Sequence, residues 1–169
     1  AQHSHILINE ADVSAKLKNV TLMAPNGDWF SFDPDKGRGQ LSLMSNLLAT
    51  GAEHNHHRAC DCVVLVNREG NLTVLYIDLK SGSPSGYAGQ FKSTRQFVRY
   101  LLGLLKEFHE MDLKLVQERY VILHGGKPAP INKTTTVPKP EKMRSTSPEK
   151  PYKREVPQPA RLYLKELLD

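Results

Sequence analysis

The chain is poor in cysteine, in aromatic residues and in long apolar runs. Cys60 and Cys62 are the only cysteines among 169 residues. As i, i+2 neighbours they would close a badly strained ring, so a disulfide framework is excluded and a reducing, cytoplasmic setting is expected. No apolar stretch approaches the roughly 18 residues that a membrane span needs. The longest helical stretch is broken by Arg99 and Lys106, so no membrane association is expected. The opening Ala-Gln-His-Ser-His offers neither a basic n-region nor an apolar h-region of a signal peptide. An initiator Met is missing too, so the chain reads as processed or cut from something longer. Three motifs are lacking as well. Without G-K-[S/T] the glycine-rich run 82–89 is no nucleotide-hydrolysing phosphate loop. There is also no G-x-S-x-G elbow and no H-x-E paired with P-C-x-x-C, which removes two common hydrolase and deaminase designs.

What is present amounts to one domain's core, with 39% hydrophobic and 24% charged residues. The net charge of +5 is unevenly placed: residues 127–161 hold nine Lys or Arg against three Glu, together with 8 of the 11 prolines, and the remainder is close to neutral. Proline lacks the amide donor and fixes φ, so such a strip forms neither a packed helix nor a central strand. It reads first as a solvated linker or long loop; an electrostatic arm for an anionic polymer is the second reading and is compatible with the first. The expected organisation is an α/β body over 1–126, a basic Pro-rich loop or linker over 127–159, and a C-terminal element over 160–169 that docks on the body.

Within the body, residues 5–32 alternate apolar and polar side chains and read as short strands joined by a turn at Asn26-Gly27. Asp33-Pro34-Asp35 and Gly37-Arg38-Gly39 mark a loop. Leu41, Met44, Leu47 and Leu48 stand at helical spacing, predicting an amphipathic helix over 40–52. A His-rich polar stretch follows at 53–58. Residues 61–66 and 72–79 predict two strands joined by a turn at Arg68-Glu69-Gly70-Asn71. Residues 81–89 read as a loop, 90–109 as a helix with Phe91, Phe97, Val98, Leu101, Leu102 and Leu105 inward, and 120–123 as a third strand. The fold class expected is α/β, with a mixed central sheet flanked by helices.

Chemistry concentrates on that hairpin. Period-2 alternation places Asp78 and Lys80 on one face of their strand and Leu79 on the other. Asp61 begins the partner strand, so both carboxylates come level at the hairpin's open end. Two carboxylates meeting there repel unless a positive group sits between them, and a hard divalent cation, Mg²⁺ or Mn²⁺, is the usual answer. A metal and a lysine beside a phosphodiester lower the cost of the charge that develops there. The cluster of His54, His56, His57, Cys60 and Cys62 lacks the paired spacings of a structural zinc site. The cysteines read instead as small apolar groups at a strand start. At the start of the long helix, free amides and the dipole favour phosphate, and Lys92 and Arg95 would reinforce that for a nucleic-acid backbone. Lys150, Lys153 and Arg154 of the basic segment are further candidates for it.

Asp61, then Asp78-x-Lys80 at strand ends, then a helix, resembles the PD-(D/E)xK nuclease superfamily and its restriction-endonuclease-like fold. The order of elements across 40–124 is similar to that family's αβββαβ core, with one further strand required. Gln96-Phe97-Val98-Arg99-Tyr100 is similar to the Q-x-x-x-Y motif of the RecB-like branch, which also uses a histidine upstream of the first aspartate. The resemblance implies Asp61 and Asp78 as metal ligands and Lys80 as the catalytic lysine. It further implies a histidine, here His57, as an additional ligand, and Gln96 and Tyr100 as positioning groups. Gln90 competes with Gln96 for that role, and Glu53 is the nearest stand-in for an acid from the preceding helix. The resemblance covers about half the chain; 1–39 and 127–169 lie outside it.

The function so implied is metal-dependent hydrolysis of DNA phosphodiester bonds, in restriction, phage defence, repair or mobile-element processing, in the cytoplasm or at the nucleoid. RNA stays open as a substrate, because phosphate contacts carry no sugar identity. The small size points to action with a protein partner or as a homo-oligomer. The alternatives are a non-catalytic nucleic-acid-binding or assembly subunit using the same fold and the basic arm, and an interaction protein docking through its Pro-rich segment.

Overall fold

The computed structural model describes residues 4–39, 43–51, 55–82, 84–125 and 146–169. In chain order the elements are β1 (Ser4–Asn9), β2 (Asn19–Ala24), β3 (Trp29–Phe32), α1 (Pro34–Gly37), β4 (Cys62–Arg68), β5 (Asn71–Ser81), α2 (Tyr87–His109), β6 (Lys114–Gly125), β7 (Tyr152–Val156), β8 (Ala160–Tyr163) and α3 (Lys165–Leu168), with a 3-10 turn at Asn55–His57. They build an α/β protein with two mixed sheets and few helices. The smaller sheet runs β1-β2-β8 and the larger β3-β4-β5-β6-β7.

The larger sheet changes character at β5. On one side β3, β4 and β5 form an antiparallel meander; on the other β5, β6 and β7 are parallel. The β4–β5 turn is two residues long because Glu69 and Gly70 both adopt positive φ (54° and 82°), the geometry that matches strand twist. A parallel neighbour cannot be reached by a tight turn, and α2 supplies the crossover to β6. Where β6 ends, Gly125 lets β7 approach closely, since a Cβ there would stand 2.7 Å from the Val156 carbonyl.

β5 is buried on both faces and divides the interior in two. Leu75, Ile77 and Leu79 join Val64, Val121, Leu123 and the inward residues of the smaller sheet in one aliphatic core. Val74 and Tyr76 face α2, packing with Val63, Phe91, Val98, Tyr120 and Ile122. Burying a side chain of this size contributes about 1.5–3 kcal/mol, so the two cores fix the height of β5, and with it Asp78, against its neighbours.

Several sequence expectations are corrected. Residues 43–51 of the expected 40–52 helix form turns and irregular chain rather than a helix. Leu47 is 96% exposed and Leu48 is 43% exposed, so this end of the apolar stripe is not buried; Leu41 lies outside the described residues. The turn at Asn26-Gly27 joins strands of different sheets instead of closing a hairpin; β2 pairs with β1 and β8. The 127–159 segment is not loop throughout, because 152–156 add β7 at the sheet edge, where proline-flanked chain is tolerated. Leu162, Leu164 and Leu167 at the C-terminal end are buried in the aliphatic core. Residues 126–145, which carry most of the basic run, lie outside the described residues. Among the described residues no helix is long and apolar enough to cross a membrane.

Candidate functional site

The last β4–β5 register pair is Cys62 with Ile77, so the next step outward sets Asp61 across from Asp78. Asp61 continues the ladder with its side chain: Oδ2 accepts from the Leu79 amide at 2.6 Å. Asp78 points from β5 towards α2 and is fully buried. Lys80 Nζ stands 2.9 Å from Asp78 Oδ2 and donates to Gln90 Oε1 at 3.0 Å. Gln90, in the first turn of α2, passes its own Nε2 to the Ala59 carbonyl at 3.1 Å. One glutamine thus ties the lysine to the chain that enters β4.

Electrostatics follow from this crowding. Burial first, and Asp78 beside it second, push the Asp61 carboxyl up to about 8, with the Leu79 amide pulling the other way. Asp78 is also raised, burial outweighing the nearby Lys80 ammonium. Lys80 is Asp78's charge partner and the Asp61 carboxyl hydrogen-bonds to it as well, both favouring its charged form, yet neither contact is well directed. A buried carboxylate left in that condition costs free energy unless a proton or a cation compensates it. The donor set, hard oxygens with lone pairs to spare, fits Mg²⁺ or Mn²⁺, and Mg²⁺ ordinarily completes its shell with water. Among the described residues, no group of three or more His, Cys, Asp or Glu converges on one point.

The other predicted site residues divide. Gln90 is at the site. Gln96 is exposed and Tyr100 is 59% exposed, on the far face of α2, so the Q-x-x-x-Y match is not brought to the acidic pair. His57 is committed elsewhere: its Nδ1 accepts from the Met44 amide at 3.1 Å and its Nε2 faces the Leu48 and Ala49 carbonyls. Both ring nitrogens serve the 44–49 loop, which corrects its expected place as a ligand. Glu53 and His54 lie outside the described residues. Cys60, in the irregular chain just before β4, is buried in the core towards α2, whereas Cys62, the first residue of β4, is buried in the aliphatic core.

Among the basic candidates, Lys92 and Lys153 flank the start of α2. Lys92 is half exposed and pairs with Glu149 at 2.7 Å, and Lys153 lies over the Tyr87 ring at 4.8 Å. Lys150, shortly before Lys153 in sequence, is exposed. Arg95 is partly buried beside Tyr120, whose hydroxyl is pushed up to about 12 mainly by burial. Arg154 corrects its expectation outright. It is 6% exposed, faces the aliphatic core and meets Glu166 of α3 at 2.8 Å, out of reach of a polyanion.

Sequence reasoning missed three neighbours of the pair. Glu10, just after β1, raises both Asp61 and Asp78 through its charge. It is brought near because the β1–β2 loop is pinned to the end of β5, Ser81 Oγ accepting from the amides of Lys16 (2.7 Å) and Leu17 (3.2 Å). No local pattern announces that contact. His124 sits beside Lys80 in the β5–β6 register, and Glu155 beside His124 in β6–β7. Extending the third strand one residue beyond 123 with the same alternation would have found His124.

Comparison with protein-family models, with curated proteins and with solved structures found no match to this chain.

Proposed function

We propose that the chain is a divalent-metal-dependent nuclease acting on DNA, with Asp61 and Asp78 as the metal-holding carboxylates and Lys80 as the catalytic lysine. One observation carries the reading: a fully buried Asp78, poor in hydrogen bonds, stands opposite a second carboxylate with a lysine 2.9 Å away. A structural ion pair would not need the second carboxylate, which makes the burial more costly. The restriction-endonuclease-like core belongs to this proposal. The run β4-β5-α2-β6 supports it through an antiparallel hairpin, a helical crossover and a parallel strand; β3, which widens the hairpin to a meander, comes from upstream of 40–124.

When bound, the cation would supply Lewis-acid stabilisation of phosphoryl oxygens and lower the pKa of a water. The chain's own groups do the rest. Lys80, oriented by Gln90, neutralises charge developing on the phosphodiester. The free amides at the start of α2 face the same end of the sheet and favour phosphate. Lys92 and Lys153 give that end a basic rim. A protein partner or a second copy of the chain belongs to the proposal as the source of further recognition.

The test is cleavage of circular and linear DNA and of RNA, with Mg²⁺, Mn²⁺ or EDTA, comparing wild type with Asp78→Ala and Lys80→Ala. Metal-dependent cutting reduced roughly a hundred- to a thousandfold by each substitution is expected. Cutting in EDTA, or unchanged by Asp78→Ala, defeats the reading. A second reading, a non-catalytic nucleic-acid-binding subunit, is favoured by the closed Asp78–Lys80 contact, which neutralises the aspartate without an ion. It predicts DNA binding indifferent to Mg²⁺ and to both substitutions.

A further inference from the structure

Residues 58–61 lead into β4 without a ladder partner, following the short 3-10 turn. Their backbone is instead taken up by side chains, one peptide group after another. Ser93 Oγ donates to the His56 carbonyl. Arg38 Nη1 donates to the carbonyls of His57 (3.0 Å) and Arg58 (3.1 Å), while its Nη2 donates to Ser93 Oγ at 3.0 Å. Gln90 Nε2 holds the Ala59 carbonyl at 3.1 Å, and the Cys60 amide donates to Thr94 Oγ1 at 3.0 Å. The next residue is Asp61.

Three of these four clamps stand on the first two turns of α2, the element that also holds Lys80 through Gln90. Gly89 allows the approach, since a Cβ there would collide with the Asn55 side chain. The fourth clamp, Arg38, comes from a distant part of the chain, immediately after α1. Its guanidinium is half-buried over the Phe97 ring, 5.3 Å from the centroid. A planar fork with several fixed donors can serve two successive carbonyls and a hydroxyl at once, which a lysine ammonium cannot do in the same geometry.

We propose that Arg38 is a positioning residue for the acidic pair: by fixing the 57–58 backbone against Ser93 it sets where Asp61 stands relative to Asp78 and Lys80. This deepens the nuclease reading and rests on it. Arg38 touches no reacting group, and its effect passes through Asp61.

The test needs one readout of Asp61's placement and one of its chemistry. Asp61 is the acceptor of the Leu79 amide, so hydrogen exchange at Leu79 reports the placement directly. In Arg38→Ala the Leu79 amide is expected to exchange faster while Leu75 and Ile122 keep their wild-type rates. Mn²⁺ affinity, measured by titration of the metal alone, is expected to fall by about 10- to 100-fold, the usual consequence of losing a group that orients a ligand. In the cleavage assay kcat falls with KM for DNA near wild type, and added guanidinium ion partly restores it. Should Arg38→Ala fail to fold, Arg38→Lys, which keeps the charge and a stem to lie over Phe97, carries the same measurements with a smaller change. Wild-type exchange at Leu79 and wild-type Mn²⁺ affinity in a variant that is merely less stable would overturn the proposal. If instead Asp78→Asn binds Mn²⁺ as wild type does, the metal reading fails, and the Leu79 amide alone decides the role of Arg38.

Discussion

The two faces of the larger sheet both bury charge, but they treat it differently. On the face towards the smaller sheet, Arg154 and Arg119 enter an aliphatic core. Arg154 meets Glu166 at 2.8 Å, and Arg119 donates to the Leu167 carbonyl (3.0 Å) and to Gln117 (2.9 Å). Both arginines hold the C-terminal turn of helix on the sheet. On the face towards α2, Asp78 is buried just as deeply with one lysine and, beside it, a second carboxylate. The first arrangement closes a structure, whereas the second gathers two carboxylates around one lysine, so that a proton or a cation must make up the balance. Burial of a charge is therefore no mark of function; burial beside a like charge is the better sign.

Substitutions on each face break that comparison in opposite directions. Glu166→Ala strands the buried Arg154 guanidinium and is expected to destabilise by about 3 kcal/mol, leaving Mn²⁺ affinity unchanged. Asp78→Asn removes a burdened carboxylate at nearly constant volume. In metal-free buffer it is expected to raise the melting temperature while abolishing Mn²⁺ binding. Thermal denaturation with and without Mn²⁺ checks both, and a destabilised Asp78→Asn would mean that the Lys80 contact is a structural pair like that of Arg154.

The titration of the pair gives a smaller effect of fixed sign. Asp61 has its carboxyl raised in the fold from 3.8 to about 8, so the folded chain holds a proton there that the unfolded chain has lost. That contribution to stability is fully present below pH 4 and is lost as pH rises through 8. Over this window the melting temperature of the metal-free protein is expected to fall as pH rises, and Asp61→Asn flattens the slope. A divalent cation replaces the proton, so Mn²⁺ should raise the melting temperature more at pH 8 than at pH 5.

Strand-borne features were legible in the sequence and contact-borne ones were not. Alternation along 72–79 located Asp78 and Lys80 on one face, and the two-residue turn at Glu69-Gly70 brought Asp61 level with them. These depend on neighbours in sequence. The 40–52 helix misled because helical spacing states only that a stripe exists, and not that it is covered: over the described residues 43–51 Leu47 is exposed and the loop's backbone pairs with His56 and His57. Arg154 misled because a basic, Pro-rich composition says nothing of a five-residue strand inside it. Glu10 and Arg38 reach the site through contacts across 65 and 55 residues, Lys16 of Glu10's loop to Ser81 and Arg38 to Ser93, and no window of sequence contains both ends.

The finest distinction lies along α2, where two glutamines compete for one role. Gln90 contacts Lys80 and the Ala59 carbonyl, whereas Gln96 lies exposed on the other side of the helix with Tyr100. Gln90→Ala is expected to lower kcat by about tenfold, because Lys80 loses the group that orients it. Gln96→Ala and Tyr100→Ala are expected to change stability by no more than about 0.5 kcal/mol, as exposed positions do, and to leave kcat alone. Steady-state cleavage by the three variants at saturating Mg²⁺ decides between them. A loss confined to Gln96→Ala would mean that the RecB-like motif, rather than the lysine's partner in the folded chain, identifies the working glutamine, and that the helix contacts DNA through its exposed face.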